Sequence, residues 1–280
     1  MGRRILRSMP DAAATWSPAA DVTARLAGTR FHDVRRFAVV DSTNRYLLSE
    51  AARADDVPDG APADDVVAVA DEQTAGRGRH GRTWSARSGA ALLVSVRLRP
   101  ALPAERLHLV TLAAAVAATE AVHEVAGFAP QVKWPNDVVV ADRKLAGILA
   151  EADGAGAVVV GMGLNLRTDT YPGELAELAT ACEAHSSGPV DRDDVLCAWL
   201  RALDARLDAL DGIVAAAAER SATLGRAVRV ELARESFTAT ASRLTGEGYL
   251  VVTRDNGDET VVTAGDVVHL RPVTDPAPGS

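Results

Sequence analysis

Apolar residues along the chain fall into short runs separated by polar stretches rich in glycine and proline, a pattern that predicts interleaved strands and helices. Val34–Val40 reads as a strand, and Asp41-Ser42-Thr43-Asn44 behind it supplies capping residues for a helix through Arg53. Before it, Ser17-Pro18 reads as an N-cap with proline in the first helical position, predicting a short helix to about Ala27. Val66–Ala70 and Ala91–Leu98 are two further strands. Pro103–Val125 carries Leu107, Val110, Leu112, Ala114, Val116, Ala117 and Val125, the spacing of a long helix buried on most sides. Strands follow at Val138–Val140, Leu145–Glu151 and Ala157–Val160, then helices at about 173–180 and 190–212. After residue 221 the pattern changes to short strands: Val228–Leu232, Phe237–Leu244, Tyr249–Thr253, Thr260–Val262 and Val267–Leu270. Asp255-Asn256-Gly257 marks a hairpin turn between the third and fourth of them. Strands this short and this closely spaced predict a small separate β-barrel. The expected organisation is a mobile tail over residues 1–17, a main domain over 18–221 and the barrel over 222–275.

Composition narrows the class. Hydrophobic residues at 48% and charged residues at 24% suit a soluble globular enzyme. The longest apolar stretch, Ala113–Ala118, is soon interrupted by Thr119, Glu120, His123 and Glu124, so no membrane span is expected. Arg3, Arg4 and Arg7 are followed by no apolar run, which argues against a secretory signal. Cys182 and Cys197 lack a CxxC or histidine partner at ligand spacing, which favours reduced thiols in the cytoplasm. The net charge of −8 disfavours general nucleic-acid binding but leaves room for a local basic site.

Lysine is scarce. Only Lys133 and Lys144 occur among 30 Lys and Arg residues, and both lie in one segment with Asn136. Arginine serves wherever a generic cation will do, so a retained lysine points to a chemical need for an ammonium.

Several segments carry chemistry. Gly76-x-Gly78-x-x-Gly81 matches the dinucleotide fingerprint, but Thr83-Trp84-Ser85 after it is a poor helix start and no acidic residue stands near 97–102. The loop instead offers Arg77, Arg79 and Arg82 on a glycine-permissive backbone able to wrap phosphates. A merely solvated basic loop would not explain Trp84. Lys133-Trp134-Pro135-Asn136-Asp137 sets a cation, an aromatic face, an amide and a carboxylate together, although Pro-Asn-Asp is also good turn chemistry. Lys144-Leu145-Ala146-Gly147 heads an apolar strand, and Gly161-x-Gly163-x-Asn165 ends another, with glycines that permit close approach to the backbone.

In this order, together with Asp41-Ser42-Thr43-Asn44 and Gln73-Thr74-Ala75-Gly76, these segments resemble the biotin–protein ligase family over about residues 34–270. Six of the eight Lys, Asn and Gln residues fall within them. The resemblance implies an α+β fold: a mixed sheet flanked by helices, as in class II aminoacyl-tRNA synthetases, followed by an SH3-like barrel. It implies that Ser42, Thr43 and Asn44 line a biotin pocket with Gln73 on the ureido side. Gly76, Arg77, Gly78 and Arg79 would close over biotin and the α-phosphate, with Gly147 also on the biotin side. Lys144 would bridge biotin's carboxylate and the phosphate, with Arg77 and Arg79 as its catalytic companions. Arg79, Arg82, Trp84, Lys133, Trp134 and Asn136 would serve the nucleotide, Asn165 would read the adenine edge, and Asp137 would hold Mg2+.

The implied reaction uses ATP and Mg2+ to form biotinyl-5'-AMP, then transfers biotin to a lysine of a carboxylase's biotin carboxyl carrier domain. Regulatory members carry an N-terminal DNA-binding domain that this sequence lacks, so neither DNA nor a membrane is an expected partner. A lipoate or octanoate ligase is the nearest competitor, but the full Gly-Arg-Gly-Arg-x-Gly-Arg-x-Trp loop resembles biotin ligases instead. A biotin-responsive DNA-binding regulator would need a basic recognition helix, and an adaptor would leave the arginine loop unexplained.

Overall fold

Most of these runs pair into one eight-stranded mixed sheet in the computed structural model, its central strands apolar along most of their length because both faces are covered. The structure describes residues 15–54, 65–100, 102–153, 156–171, 175, 177–232, 235–263 and 266–269. Most of the predicted tail, most of the 54–65 loop, Leu270 and the start of the predicted 173–180 helix lie outside the described residues. The strands are β1 (Ser17–Pro18), β2 (Asp33–Val40), β3 (Val66–Gln73), β4 (Ala91–Leu98), β5 (Gln131–Lys133), β6 (Asp137–Val140), β7 (Arg143–Ala152) and β8 (Val158–Asn165). Their order is β1-β2-β3-β4-β8-β7-β6-β5, with β2 and β3 parallel and every other pair antiparallel.

Among the described residues, five α-helices accompany the sheets: α1 (Ala20–Arg25), α2 (Thr43–Ala54), α3 (His108–Ala126), α4 (Arg192–Asp208) and α5 (Ile213–Glu219). On one face of the sheet, Tyr46 and Leu47 of α2 pack with Phe37, Val40, Ala68 and Val159. The other face carries α3, α4 and α5 in the main core. By length and composition α3 could cross a bilayer, contrary to the sequence reading; its apolarity is that of a core helix, 72% buried. Trp199 of α4 locks against it, donating Nε1–H to the Ala114 carbonyl at 3.1 Å.

The five C-terminal strands occur where the pattern predicts them: β9 (Ala227–Glu231), β10 (Ser236–Leu244), β11 (Leu250–Thr253), β12 (Glu259–Val262) and β13 (Asp266–His269). They form an open antiparallel sheet in the order β12-β11-β10-β9-β13, and no pairing among the described residues joins its two edges. The expectation of a closed, separate barrel is therefore corrected. Val228, Val230, Ala241, Leu250 and Val252 enter the same core as α3, so the first domain covers this sheet. Gly248 sits against Leu109 and Leu112 of α3 with φ +82°.

Other departures have local causes. Ser17 and Pro18 pair with Arg36 and Arg35 as an edge strand, where proline is tolerated, and α1 begins at Ala20 without a side-chain cap. The expected helix at 190–212 stops at Asp208, and α5, which the pattern did not predict, starts after Gly212. Within the expected 173–180 helix, Ala179 instead makes a parallel bridge with Lys144. The three-residue β5 is too short for a periodic signal, while β8 runs straight through Gly161 and Gly163 rather than ending before them.

Candidate active site

The floor of the site is the first turn of α2. Ser42 accepts the Tyr46 amide and occupies the cap position, and Ser42, Thr43 and Asn44 are all buried. Gln73, at the end of β3, accepts the Thr43 amide at 2.8 Å through Oε1. Ser95 of β4 lies 2.6 Å from the Thr43 hydroxyl and donates to Asn44 Oδ1 at 2.6 Å. Asn44 donates Nδ2–H to the Glu151 carboxylate at 2.9 Å. A side chain at Gly161 would collide with Asn44 Oδ1, so that glycine makes room for the floor itself. Ser95 and Glu151 were missed by sequence reasoning. A serine inside an apolar strand and a glutamate near a strand's end carry no local signal.

Between β3 and β4 the chain makes no α-helix, which disposes of the dinucleotide fingerprint. It folds into a tight excursion: Trp84 N donates to Gly76 O at 3.0 Å, Gly78 N to Arg82 O at 2.8 Å, and Arg77 bridges Thr83. A short 3-10 turn at Arg79–Gly81 closes the tip, with Gly81 at φ +72°. Gly76 is required at the base because a Cβ there would strike the Trp84 carbonyl. Arg77 Nη1 reaches Glu151 Oε1 at 2.8 Å, and Arg79 donates to Asn136 Oδ1 at 3.0 Å. The Trp84 indole lies over Gly147 and Gly163, and its Nε1 is buried without an acceptor among the described residues.

The opposite wall is the β5–β6 hairpin and the start of β7. Trp134–Pro135 is a cis peptide. Trp134 donates its backbone N–H to Thr223 Oγ1 and its Nε1–H to Gly248 O, both at 3.1 Å, tying this wall to the C-terminal sheet. Asn136 and Ile148 exchange two hydrogen bonds, at 2.7 and 2.9 Å. Along β7, strict alternation would put Lys144 on the face of Ala146 and Ile148, in the core. The register slips at this point, Val138 pairing with Ala146 but Val139 with Lys144. This bulge turns the lysine to the face of Gly147, whose Cβ position lies 3.0 Å from Lys144 Nζ. The ammonium then stands 2.7 Å from Asp137 Oδ1 and 5.7 Å from the Trp84 ring centroid.

These walls enclose a cavity of about 220 Å³. It brings together the predicted biotin-side residues except Gly76 and the predicted nucleotide-side residues except Asn165, with Asp137 also on its wall. Asn165 is buried behind Lys144 instead, its amide donating to the Thr180 carbonyl at 2.9 Å and facing the Lys144 carbonyl at 3.5 Å. Val267 and Val268 of β13 line the cavity too, a contribution no motif announced.

Arg77, Arg79, Arg82, Lys133 and Lys144 face Asp137 within this space, so the arrangement can receive a multiply charged anion. No cluster of three or more His, Cys, Asp or Glu residues suited to a metal occurs among the described residues. Burial pushes the Cys182 thiol up to about 12, so it offers no thiolate nucleophile.

Comparison with known proteins agrees with this picture. The model of the biotin/lipoate A/B protein ligase family matches residues 36–168, and that of the biotin protein ligase C-terminal domain matches residues 223–270. The chain is similar to the biotin–[acetyl-CoA-carboxylase] ligase of Mycobacterium tuberculosis, with 38% identity over 88% of this chain and 92% of the relative. It is also similar to the bifunctional ligase/repressor BirA of Bacillus subtilis, 30% identical over 78% of this chain and 70% of that protein. Among solved structures, the biotin protein ligase from Aquifex aeolicus in complex with biotin and ATP superimposes with a TM-score of 0.73 at 25% identity. That match covers 86% of this chain and all of the other.

Proposed function

This chain belongs to the biotin–protein ligase family, and from that premise we propose that its cavity joins biotin to ATP and then releases the biotinyl group to a lysine. The enzyme is an ATP-dependent biotin–[acetyl-CoA-carboxylase] ligase, which activates biotin as biotinyl-5'-AMP before transfer. One observation carries the assignment of the site: both lysines, three loop arginines and the buried Ser42–Asn44 turn converge on a single cavity.

The chemistry follows from charge. A carboxylate attacking the α-phosphorus of ATP must approach another anion, so the barrier is largely electrostatic and geometric. Ser42, Thr43, Asn44 and Gln73 supply the polar floor for the ureido group, and Trp84 over Gly147 and Gly163 supplies an apolar wall. Arg77 and Lys144 neutralise the carboxylate, while Arg79, Arg82 and Lys133 face the nucleotide. Lys144 is the group that spans both reactants. The loop from Gly76 to Trp84 covers the mixed anhydride and keeps water from it until the carrier's neutral amine attacks.

Magnesium fits on the nucleotide side. Asp137 is a single carboxylate on the cavity wall, and Mg2+ is commonly held by one or two carboxylates plus substrate phosphates. There the ion would screen phosphate charge and stabilise the leaving pyrophosphate. The acceptor is a biotin carboxyl carrier domain, and the setting is the cytoplasm, in keeping with two buried free cysteines. We assign residues 18–221 to the catalytic domain and residues 222–275 to the C-terminal one, in keeping with the bonds from Trp134 to Thr223 and Gly248 and with Val267 and Val268 on the cavity wall.

Calorimetric titration with biotin, lipoate and a non-hydrolysable ATP analogue, followed by a carrier-labelling assay, tests the proposal. Biotin is expected to bind and to be transferred to the carrier lysine. Preferential binding of lipoate, or no transfer, would refute it.

A further inference from the structure

Glu151 belongs to none of the motifs, yet it is the only residue whose side chain touches both the pocket floor and the arginine loop in the hydrogen bonds and ion pairs described above. Its Oε2 accepts from Asn44 Nδ2 at 2.9 Å, and its Oε1 pairs with Arg77 Nη1 at 2.8 Å. Behind Asn44 the donors run in one direction. The Thr43 hydroxyl lies 3.1 Å from Gln73 Oε1, which also receives the Thr43 amide, and 2.6 Å from Ser95 Oγ; with the one Ser95 hydrogen committed to Asn44, the shorter contact is one that Thr43 donates. Ser95 then donates to Asn44 Oδ1, also at 2.6 Å. With its oxygen occupied, the Asn44 amide must turn its NH2 toward Glu151.

Resting on the ligase reading, we infer that Glu151 is a positioning residue for adenylation: it tethers Arg77 to Asn44, so that filling the floor and setting the loop become one event. Both groups facing Glu151 are donors, so only a side chain with two acceptor oxygens satisfies both. Glutamine at this position would turn an NH2 toward one of them. Arg77 is half-exposed, and a guanidinium held by one nitrogen keeps other N–H groups for a second anion, here the carboxylate of biotin. Asn44 is buried, so the tether ends on a fixed point rather than on solvent.

Glu151→Gln, Arg77→Ala and the double variant, assayed by biotin-dependent pyrophosphate exchange, form the test. Glu151→Gln is expected to raise KM for biotin about tenfold, with kcat changed less than about threefold and Tm within a few degrees, the mark of lost ground-state positioning. Adding Glu151→Gln to Arg77→Ala is expected to cost nothing further, because the two residues act as one unit. Glu151→Asp, which keeps both oxygens, should recover part of the affinity. Biotin alone should slow tryptic cleavage of the loop in the wild type but not in Glu151→Gln. An unchanged KM in a folded Glu151→Gln enzyme, or additive effects in the double variant, would overturn the inference. Absence of exchange in the wild type would instead sink the ligase reading itself.

Discussion

Gly147 and Gly163 stand directly opposite one another across β7 and β8, and the space their missing side chains leave is filled by the indole of Trp84. Two glycines far apart in sequence thereby form one flat platform. The loop residue that lies on it also brings the loop backbone, with its arginines, over the cavity.

Gly163→Val should break this relationship without unfolding the sheet. Any Cβ at 163 meets the indole, so Trp84 must leave, and overpacking of this kind costs typically about 1–3 kcal/mol. The expected result is a loss of biotin affinity on the order of ten- to a hundredfold by calorimetry, with an unchanged circular dichroism spectrum. An unaltered Kd would show that Trp84 has no part in the biotin side.

Gly248→Val tests the junction between the domains. Gly248 has φ +82°, and a side chain there would press on Leu109 and Leu112 of α3. Left-handed backbone costs about 1–2 kcal/mol for a residue with a Cβ, before any clash. A fall in Tm of more than about 5 °C is expected, using roughly 2–4 °C per kcal/mol for a domain of this size. A Tm within one degree of wild type would mean that the C-terminal sheet does not lean on α3.

His185 should make stability fall in acid. Burial, with help from Arg143, lowers its pKa below the ordinary histidine value, and Nε2 sits 2.8 Å from Thr180 Oγ1. Below about pH 6.5 the unfolded chain takes up a proton that the folded chain resists, so the stability held above that pH is lost as pH falls through the folded pKa. His185→Gln is expected to flatten this acid limb in Tm-versus-pH curves. Parallel curves for the variant and wild type would contradict it.

Self-biotinylation should be weak. The only two amine-bearing side chains, Lys133 and Lys144, lie on the cavity wall, and Lys144 is held in an ion pair with Asp137. Incubation with biotin and ATP, read by mass spectrometry, should leave both lysines largely unmodified. Substantial adducts on either one would show that they are not fixed within the site.

How far the sequence could be read depended on where each signal lies. Continuous chemistry was legible: Gly76–Trp84, Lys133–Asp137 and Lys144–Gly147 each keep their motif in one piece, and all three contribute residues to the cavity. Scarcity of lysine helped, because it separated chemistry from generic surface charge. What stayed hidden depends on register. The bulge that turns Lys144 from the core to the cavity cannot be seen in Lys-Leu-Ala-Gly, and neither can the pairing of Gly147 with Gly163. Ser95 and Glu151 matter through partners distant in sequence: Asn44 lies about fifty and a hundred positions from them, and Arg77 is likewise remote from Glu151. The barrel was overdrawn for a related reason: five amphipathic strands predict a sheet with one apolar face, but not that α3 covers it.

Lys144 is proposed to span the two anionic reactants, and biotin-dependent pyrophosphate exchange by Lys144→Arg puts that role to the test. The ammonium stands 2.7 Å from Asp137 and 3.0 Å from the Cβ position of Gly147, a gap that suits a compact charge. A planar guanidinium is wider and would displace a reactant, and misplacement by about 1 Å can cost on the order of a hundredfold in rate. A folded enzyme with wild-type Tm and exchange reduced by about a hundredfold is expected. Near-normal exchange with unchanged Tm would contradict it, because a surface ion pair is all that Lys144 would then provide.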